Sequence, residues 1–384
     1  MSELPESPYS RTSLADVVPS LMSGLGVPGT TNTLGLPQAR QVCLLLIDGL
    51  GWNDLLDHAD NAPFLSSLAE NSRPLGAGFP STTATSIASI GTGLPSGQHG
   101  LVGYTFAMSP DDIVDALTWT IHGPGAKRDQ RSVHVPEEVQ PFPTLFERAA
   151  EAGVAIGVVS QAAHLGSGLS RAVLRGGTAT GAYALGDLAA GAIDAVRSGP
   201  TSFCYAYHAD LDLLGHLHGP GSEPWILQLR CVDHLAEVIA DRLPPGAVLA
   251  VTADHGMISS TQQSTVDFDG EPALRDGVRK LGGEPRVRHV YTQPGATADV
   301  LATWQGILGD RAWVTTRGQA IAAGWFGSTI APHVTDRIGD LVVAARADNV
   351  VVSSSNEPHS SRFVGHHGSL TPEEQLVPLL VHHA

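Results

Sequence analysis

The sequence predicts an α/β sandwich: a largely parallel central sheet with helices on both faces, plus a smaller inserted α+β lobe. Three observations predict it. Apolar runs without alternation recur at 41–48, "VAIGVVS", "TSFCYAYHAD" and "PPGAVLAVTADHG", as in strands buried on both faces. Helical segments separate these runs, which is the signature of parallel strands with crossover helices. Asp48, Asp212 and Asp254 lie at or just past strand ends, and ligands of such sheets sit beyond the carboxyl ends of the strands.

The elements follow in order. Residues 1–40 read as a lead-in with little regular structure, dense in Gly, Pro, Ser and Thr. The core runs over 41–269. Its first strand, 41–48, precedes "NDLLDHADNAPFLSSLAE", where Leu55, Leu56, Phe64, Leu65 and Leu68 have helical spacing and Pro63 marks a break. "TTATSIASIGTG" is a short helix of small residues that ends at Gly91 or Gly93. Segment 104–140 reads as an insertion near the site, with "TFAMS" and "DALTWTIHG" as short strands. "PTLFERAAEAG" has Pro at its start and Gly at its end, the asymmetry of a helix. Then come the strand "VAIGVVS", the helix "GDLAAGAIDAVRSG", the strand "TSFCYAYHAD", a long helix over 223–243 and the strand 247–251. Residues 270–362 form the smaller lobe, with strands "RVRHVYT", "RAWVTT", "DLVVAAR" and "NVVVSSS" and the helix "TADVLATWQGILG". Residues 363–384 return to the core and end in a tail, "VHHA".

Composition sets limits. The chain has 384 residues, 16% charged and 42% hydrophobic, which is a globular balance. No apolar run approaches a membrane span. The polar, Pro/Ser-rich start lacks a signal-peptide pattern, so a cytoplasmic location is expected. Three widely spaced cysteines, Cys43, Cys204 and Cys231, do not make a disulfide framework. A formal net charge of −16 argues against docked nucleic acid, which needs basic stripes. A small phosphorylated substrate remains allowed, because two bound dications would reverse the local sign.

The chemistry concentrates in four segments. "TADHGM" sets Asp254 beside His255, and Gly256 permits a sharp turn. "DLLGHLHG" sets Asp212 and His216 four apart, on one helical face. Asp48 follows "VCLLLI", and His367 lies in "VGHHGS". Aspartate and histidine together suit zinc, and aspartate alone also suits manganese or magnesium. Each segment alone would read as a capping or structural pair. Four in series, at strand ends, favour two metal sites.

These residues resemble the alkaline phosphatase superfamily, and within it the nucleotide pyrophosphatase/phosphodiesterase branch. The resemblance runs from Val42 to about Leu380 and is weak over 104–140 and 270–350. It implies an alkaline-phosphatase-like fold. It implies one metal on Asp212, His216 and His367, and another on Asp48, Asp254 and His255 together with the nucleophile. The family nucleophile lies nine residues before a Thr-Gly pair, which is Thr92-Gly93 here. That count lands on Thr83, with Thr82 as the neighbouring alternative. A threonine hydroxyl is a poor nucleophile until a metal stabilises its alkoxide, and a helix N-terminus suits the phosphoryl group. The branch carries an asparagine for a phosphoryl oxygen where this chain has Tyr104, whose hydroxyl could donate the same bond or simply pack. No cysteine stands in a sulfatase-like context.

The expectation is a two-metal phosphodiesterase or nucleotide pyrophosphatase working through phosphothreonine, on a nucleotide or other small phosphodiester. Three histidine ligands put zinc ahead of manganese. A phosphomonoesterase or phosphonate hydrolase on the same site is the alternative. A mutase is a distant third, and a non-catalytic metal- or phosphoester-binding relative is the non-enzymatic reading. Oligomeric state is not legible. Of the nearby residues, His208 and Asp210 suit supporting roles, as His99 and His218 do less strongly. His366 reads as supporting or surface. His122, Lys127, Arg128 and His134 could contact substrate but read more readily as a solvated basic loop, and His289 as pocket lining at most.

Overall fold

The computed structural model describes residues 4–384 except residue 126. Its central sheet has six strands in the order Leu379–His383, Val248–Thr252, Gln41–Ile47, Ser202–His208, Ala155–Gln161 and Thr178–Ala182. All adjacent pairs are parallel except the edge strand Leu379–His383, which runs antiparallel to Val248–Thr252. The final "VHHA" is therefore largely sheet rather than a tail: Val381 pairs with Ala250 and His382 with Leu249. The strand Thr178–Ala182 has no counterpart in the sequence reading. Three of its five residues are exposed, so burial left no apolar run to read.

Register positions the site. Ile47 lies opposite His208, and Leu46 opposite Thr252. The chain thus leaves all three strands at one edge, and Asp48, Asp212 and Asp254 emerge there together.

Helical segments form as their sequences dictate. Pro63 opens the helix Pro63–Ala69 and separates it from Trp52–Asp57. The helix Thr83–Thr92 is buried along its whole length, which explains its small residues. It ends on Gly93 in the left-handed region at φ 70°. Thr144, not Pro143, caps the helix Leu145–Glu151 through a reciprocal bond with Glu147. The lead-in also differs from its reading: Leu14–Asp16 and Val17–Gly24 are helical. Leu14, Val17, Leu21 and Met22 are fully buried, and this segment packs against the helix Thr83–Thr92.

The insertion forms a small antiparallel sheet of Thr105–Ala107, Ile113–Asp115 and Thr120–Ile121, so "DALTWTIHG" is two strand ends and a turn. The later lobe holds a four-stranded antiparallel sheet, ordered Val278–Glu284, Val287–Thr292, Leu341–Ala345, Ala312–Thr316. Its first strand went unread. "NVVVSSS" does not join this sheet, because Val350–Val352 pairs with Thr265–Asp267. One set of lobe side chains packs on Trp304 of the helix Thr297–Leu308, while Val287, Val342 and Ala344 belong to the main core. No described helix is long and apolar enough to cross a membrane.

Candidate active site

Two groups of three potential ligands form where the strands end: Asp48, Asp254 and His255, and Asp212, His216 and His367. These are the two sets the resemblance implied. Within each group the candidate ligand atoms lie within 4.8 Å of one another.

The first group is sealed. Asp254 and His255 have no solvent exposure and Asp48 only 3%. Asp48 accepts from the Tyr207 hydroxyl through Oδ2. Asp254 Oδ1 accepts from the backbone N–H groups of Gly49 and His255, both at 3.1 Å. His255 Nε2 lies 3.4 Å from Asp48 Oδ1 and 3.6 Å from Asp254 Oδ2. Two glycines make this density attainable. A Cβ on Gly49 would sit 2.9 Å from the Asp212 Cα, and one on Gly256 2.0 Å from the Glu373 carbonyl oxygen.

The second group is more open. Asp212 and His216 share the helix Asp210–His218, with His216 Nε2 3.3 Å from Asp212 Oδ2. His367 arrives from far along the chain and places Nε2 3.8 Å from Asp212 Oδ1. A short antiparallel ladder of Ile258–Ser259 with Gly365–His366 delivers it beside His255, and the two rings stack at 3.5 Å. Val364 N–H donates to the His216 carbonyl and locks the same loop to the helix.

The donor set fits divalent metals on three counts. Each histidine donates Nδ1–H to a backbone carbonyl: His216 to Gly365, His255 to Gly256 and His367 to Ser81. That fixes Nε2 as the free lone pair facing the carboxylates. Asp48 Oδ1, Asp212 Oδ1 and Asp254 Oδ2 are buried without a hydrogen-bond partner among the described residues, a costly state unless a cation satisfies them. Burial, with the Asp254 and Asp212 charges behind it, pushes the Asp48 carboxyl well above its usual range. Burial and the neighbouring His255 and His216 hold His367 well below the usual histidine value, so its imidazole is neutral, as a ligand must be.

Thr83 stands at the first position of its helix, and its Oγ1 is 3.3 Å from His255 Nε2. Thr82 is the cap residue, and its hydroxyl is committed to Glu284 Oε2 at 2.8 Å. Tyr104 lines the cleft, but its hydroxyl donates to Asp115 at 3.0 Å. Two cavities meet at Thr83, Asp212 and Leu117. One, of about 320 Å³, runs past Ser160, His164, Ser170 and Tyr207. The other, of about 240 Å³, runs past Tyr104, Glu284, Phe363 and His366.

The remaining candidates sort by contact. Asp210 lines the larger cavity and accepts from Gln161. His208 pairs with Gln228. His99 is bonded to Ser89 and the Leu101 N–H in the core. His289 is likewise committed, to the Val102 carbonyl and the Gly339 N–H, and so does not line the cleft. His122 is not a solvated loop residue: it reaches Glu357 at 3.2 Å with 13% side-chain exposure. Glu284 was missed altogether. Its strand carries Arg279, Lys280 and two glycines, so no apolar period announces it.

Comparisons with known proteins agree with this geometry. A family model described as type I phosphodiesterase / nucleotide pyrophosphatase matches residues 42–370. A phosphopentomutase of Anaeromyxobacter dehalogenans strain 2CP-C is 29% identical over 160 residues, 41% of this chain and 39% of the relative. One from Anaeromyxobacter sp. strain K is 29% identical over 173 residues, 44% and 42% of the two chains. The chain thus spans less than half the length of these relatives. Among solved structures, murine ectonucleotide pyrophosphatase / phosphodiesterase 5, in an inactive form with AMP, superposes with a TM-score of 0.68 at 17% identity, covering 89% of this chain and 88% of that one. Phosphonoacetate hydrolase from Sinorhizobium meliloti 1021, with phosphonoacetate, gives 0.63 at 19% identity and 90% coverage of both. These likenesses show a shared fold.

Proposed function

The chain belongs to the type I phosphodiesterase / nucleotide pyrophosphatase family, and from that premise we propose that it hydrolyses phosphodiester or pyrophosphate bonds through a phosphothreonine on Thr83. Asp48, Asp254 and His255 would hold one divalent metal, and Asp212, His216 and His367 the other, with zinc favoured by the three imidazoles. Such a pair supplies positive charge to the attacking and departing oxygens of an in-line displacement.

The chain's own residues supply the rest. Thr83 attacks from the first turn of a ten-residue helix, whose N–H groups and dipole favour the phosphoryl group. The Thr83 Oγ1–P bond forms as the P–O bond to the departing ester oxygen breaks, and the threonine proton ends on that alcohol. Water then attacks phosphorus, restores Thr83 and releases the phosphomonoester. Thr82 is the weaker nucleophile candidate, since its hydroxyl is tied to Glu284.

One observation carries the diester reading. Two cavities converge on Thr83 and Asp212, so a phosphorus at the junction would have room for an organic group on each side. A monoester would fill one. The test is a paired turnover assay with added zinc on bis-p-nitrophenyl phosphate and p-nitrophenyl phosphate. Faster, chelator-sensitive cleavage of the diester supports the proposal. Faster cleavage of the monoester would make the protein a phosphatase on the same residues.

A further inference from the structure

The smaller cavity holds a buried carboxyl group for which the proposed reaction has no use. Glu284 ends the strand Val278–Glu284, and Val287 opens the next one, so the hairpin tip enters the cleft from the small lobe. Its side chain is 5% exposed. Oε2 accepts from Thr82, while Oε1 is buried without a partner among the described residues. The tip is held rigidly. Arg286 forks onto Glu374 at 2.8 and 2.6 Å, and Arg288 onto Glu357 at 2.8 and 2.7 Å. Both guanidinium groups are therefore committed elsewhere. Gly368 makes room, because a Cβ there would lie 3.0 Å from the Glu284 Cδ.

Among the described residues, the cavity's neighbouring donors are bonded elsewhere, the Ser360 hydroxyl to the Glu357 carbonyl among them. Tyr104 donates to Asp115, and His366 Nε2–H to the Phe363 carbonyl. An unmatched buried polar group costs about 1–3 kcal/mol, and burial pushes the Glu284 carboxyl up to about 8 against the Thr82 bond and the Arg288 charge. A ligand recovers this by bringing the missing hydrogen, an ammonium most of all because its charge favours the ionised carboxylate. We propose that Glu284 determines specificity: its free oxygen accepts a hydrogen bond from an ammonium or hydroxyl group on the smaller ester substituent of the substrate. The favoured substrates are then phosphodiesters of an amino alcohol or a polyol. This rests on the diester reading above. The bulkier substituent takes the larger cavity, and the smaller one points its donor at the hairpin tip.

The test compares three esters of a nucleoside 5′-phosphate, with ethanol, ethylene glycol and ethanolamine. Chromatography of the nucleoside product reports cleavage of either P–O bond. Wild-type kcat/KM should be about tenfold higher, one hydrogen bond's worth, for the hydroxyethyl or aminoethyl ester than for the ethyl ester. Glu284→Ala should bring that ratio close to one. Glu284→Gln has a single carbonyl oxygen, which Thr82 engages as it does Oε2, and turns an amide NH2 to the substrate, so it too should bring the ratio close to one. The wild-type ratios for the hydroxyethyl and aminoethyl esters tell the two donors apart. Ratios within one preparation are insensitive to any unfolded fraction. A wild-type ratio near one, or a ratio unchanged in Glu284→Ala, overturns the inference alone. Failure to hydrolyse all three esters while p-nitrophenyl phosphate is cleaved overturns the diester reading, and this inference with it.

Discussion

The parallel-sheet core and the small lobe contribute to one cleft by opposite means. The core places its groups by strand register. Asp48 and Asp254 leave neighbouring parallel strands at one level, and each candidate ligand sits inside a short local motif. The lobe places Glu284 by a hairpin tip that acquires meaning only through contact with Thr82 and Gly368. Chemistry set by register can be read from a sequence, whereas chemistry set by docking one sheet against another cannot.

The largest effect is expected at the core. Thr83→Ala should lower turnover roughly a thousandfold or more, as removal of a nucleophile does, while elemental analysis still finds the metal content of the wild type. Full activity would move the attack to Thr82 or reject a covalent step. Asp212→Asn should instead remove one metal per chain.

The lobe's anchorage comes next. Arg286 and Glu374 are both fully buried, and deleting one partner of such a pair costs about 3–5 kcal/mol. Arg286→Met should show this loss in denaturant unfolding. Arg286→Met with Glu374→Leu should recover much of it. Equal stability of the single variant and the wild type would mean that the tip is not held as described.

Protonating one buried imidazole in each region should cost a similar amount. Burial lowers His99 in the core to about 3, helped by Arg337, and His289 in the lobe to about 4. Both lie below the unfolded value near 6.5. Their stabilisation is thus complete above that value and is lost as pH falls towards 3–4. Buried carboxyls oppose this loss, with Asp54 raised to about 7 and Glu284 to about 8, so the measurement is a difference between proteins. Between pH 7.5 and 5, His99→Gln and His289→Gln should each lose about 2 kcal/mol less unfolding free energy than the wild type. The same loss in a variant and in the wild type would contradict the burial of that ring.

The smallest effect is expected at Tyr104. Its hydroxyl is bonded to Asp115, so Tyr104→Phe should change diester turnover by less than about threefold, a few tenths of a kcal/mol. A loss of a hundredfold would give that hydroxyl a contact with the substrate.

The same contrast explains what the sequence allowed. The four principal buried strands were legible as unbroken apolar runs, with Asp48, Asp212, Asp254 and His255 at or just past their ends, while His216 and His367 were legible from the short motifs that hold them. The resemblance supplied the pairing of those ligands. The ladder that brings His367 to His255 was not legible, because it joins Ile258 to His366 across about a hundred residues. Thr178–Ala182 and Val278–Glu284 were invisible for want of apolar alternation. His122 looked like one of a set of basic loop residues because its partner, Glu357, lies in another region of the chain.

The most direct measurement is mass spectrometry of peptides from enzyme rapidly quenched during turnover of bis-p-nitrophenyl phosphate. The expected result is a nitrophenylphosphoryl group on Thr83. A turning-over enzyme with that group on Thr82, or with no adduct at either threonine, would contradict it.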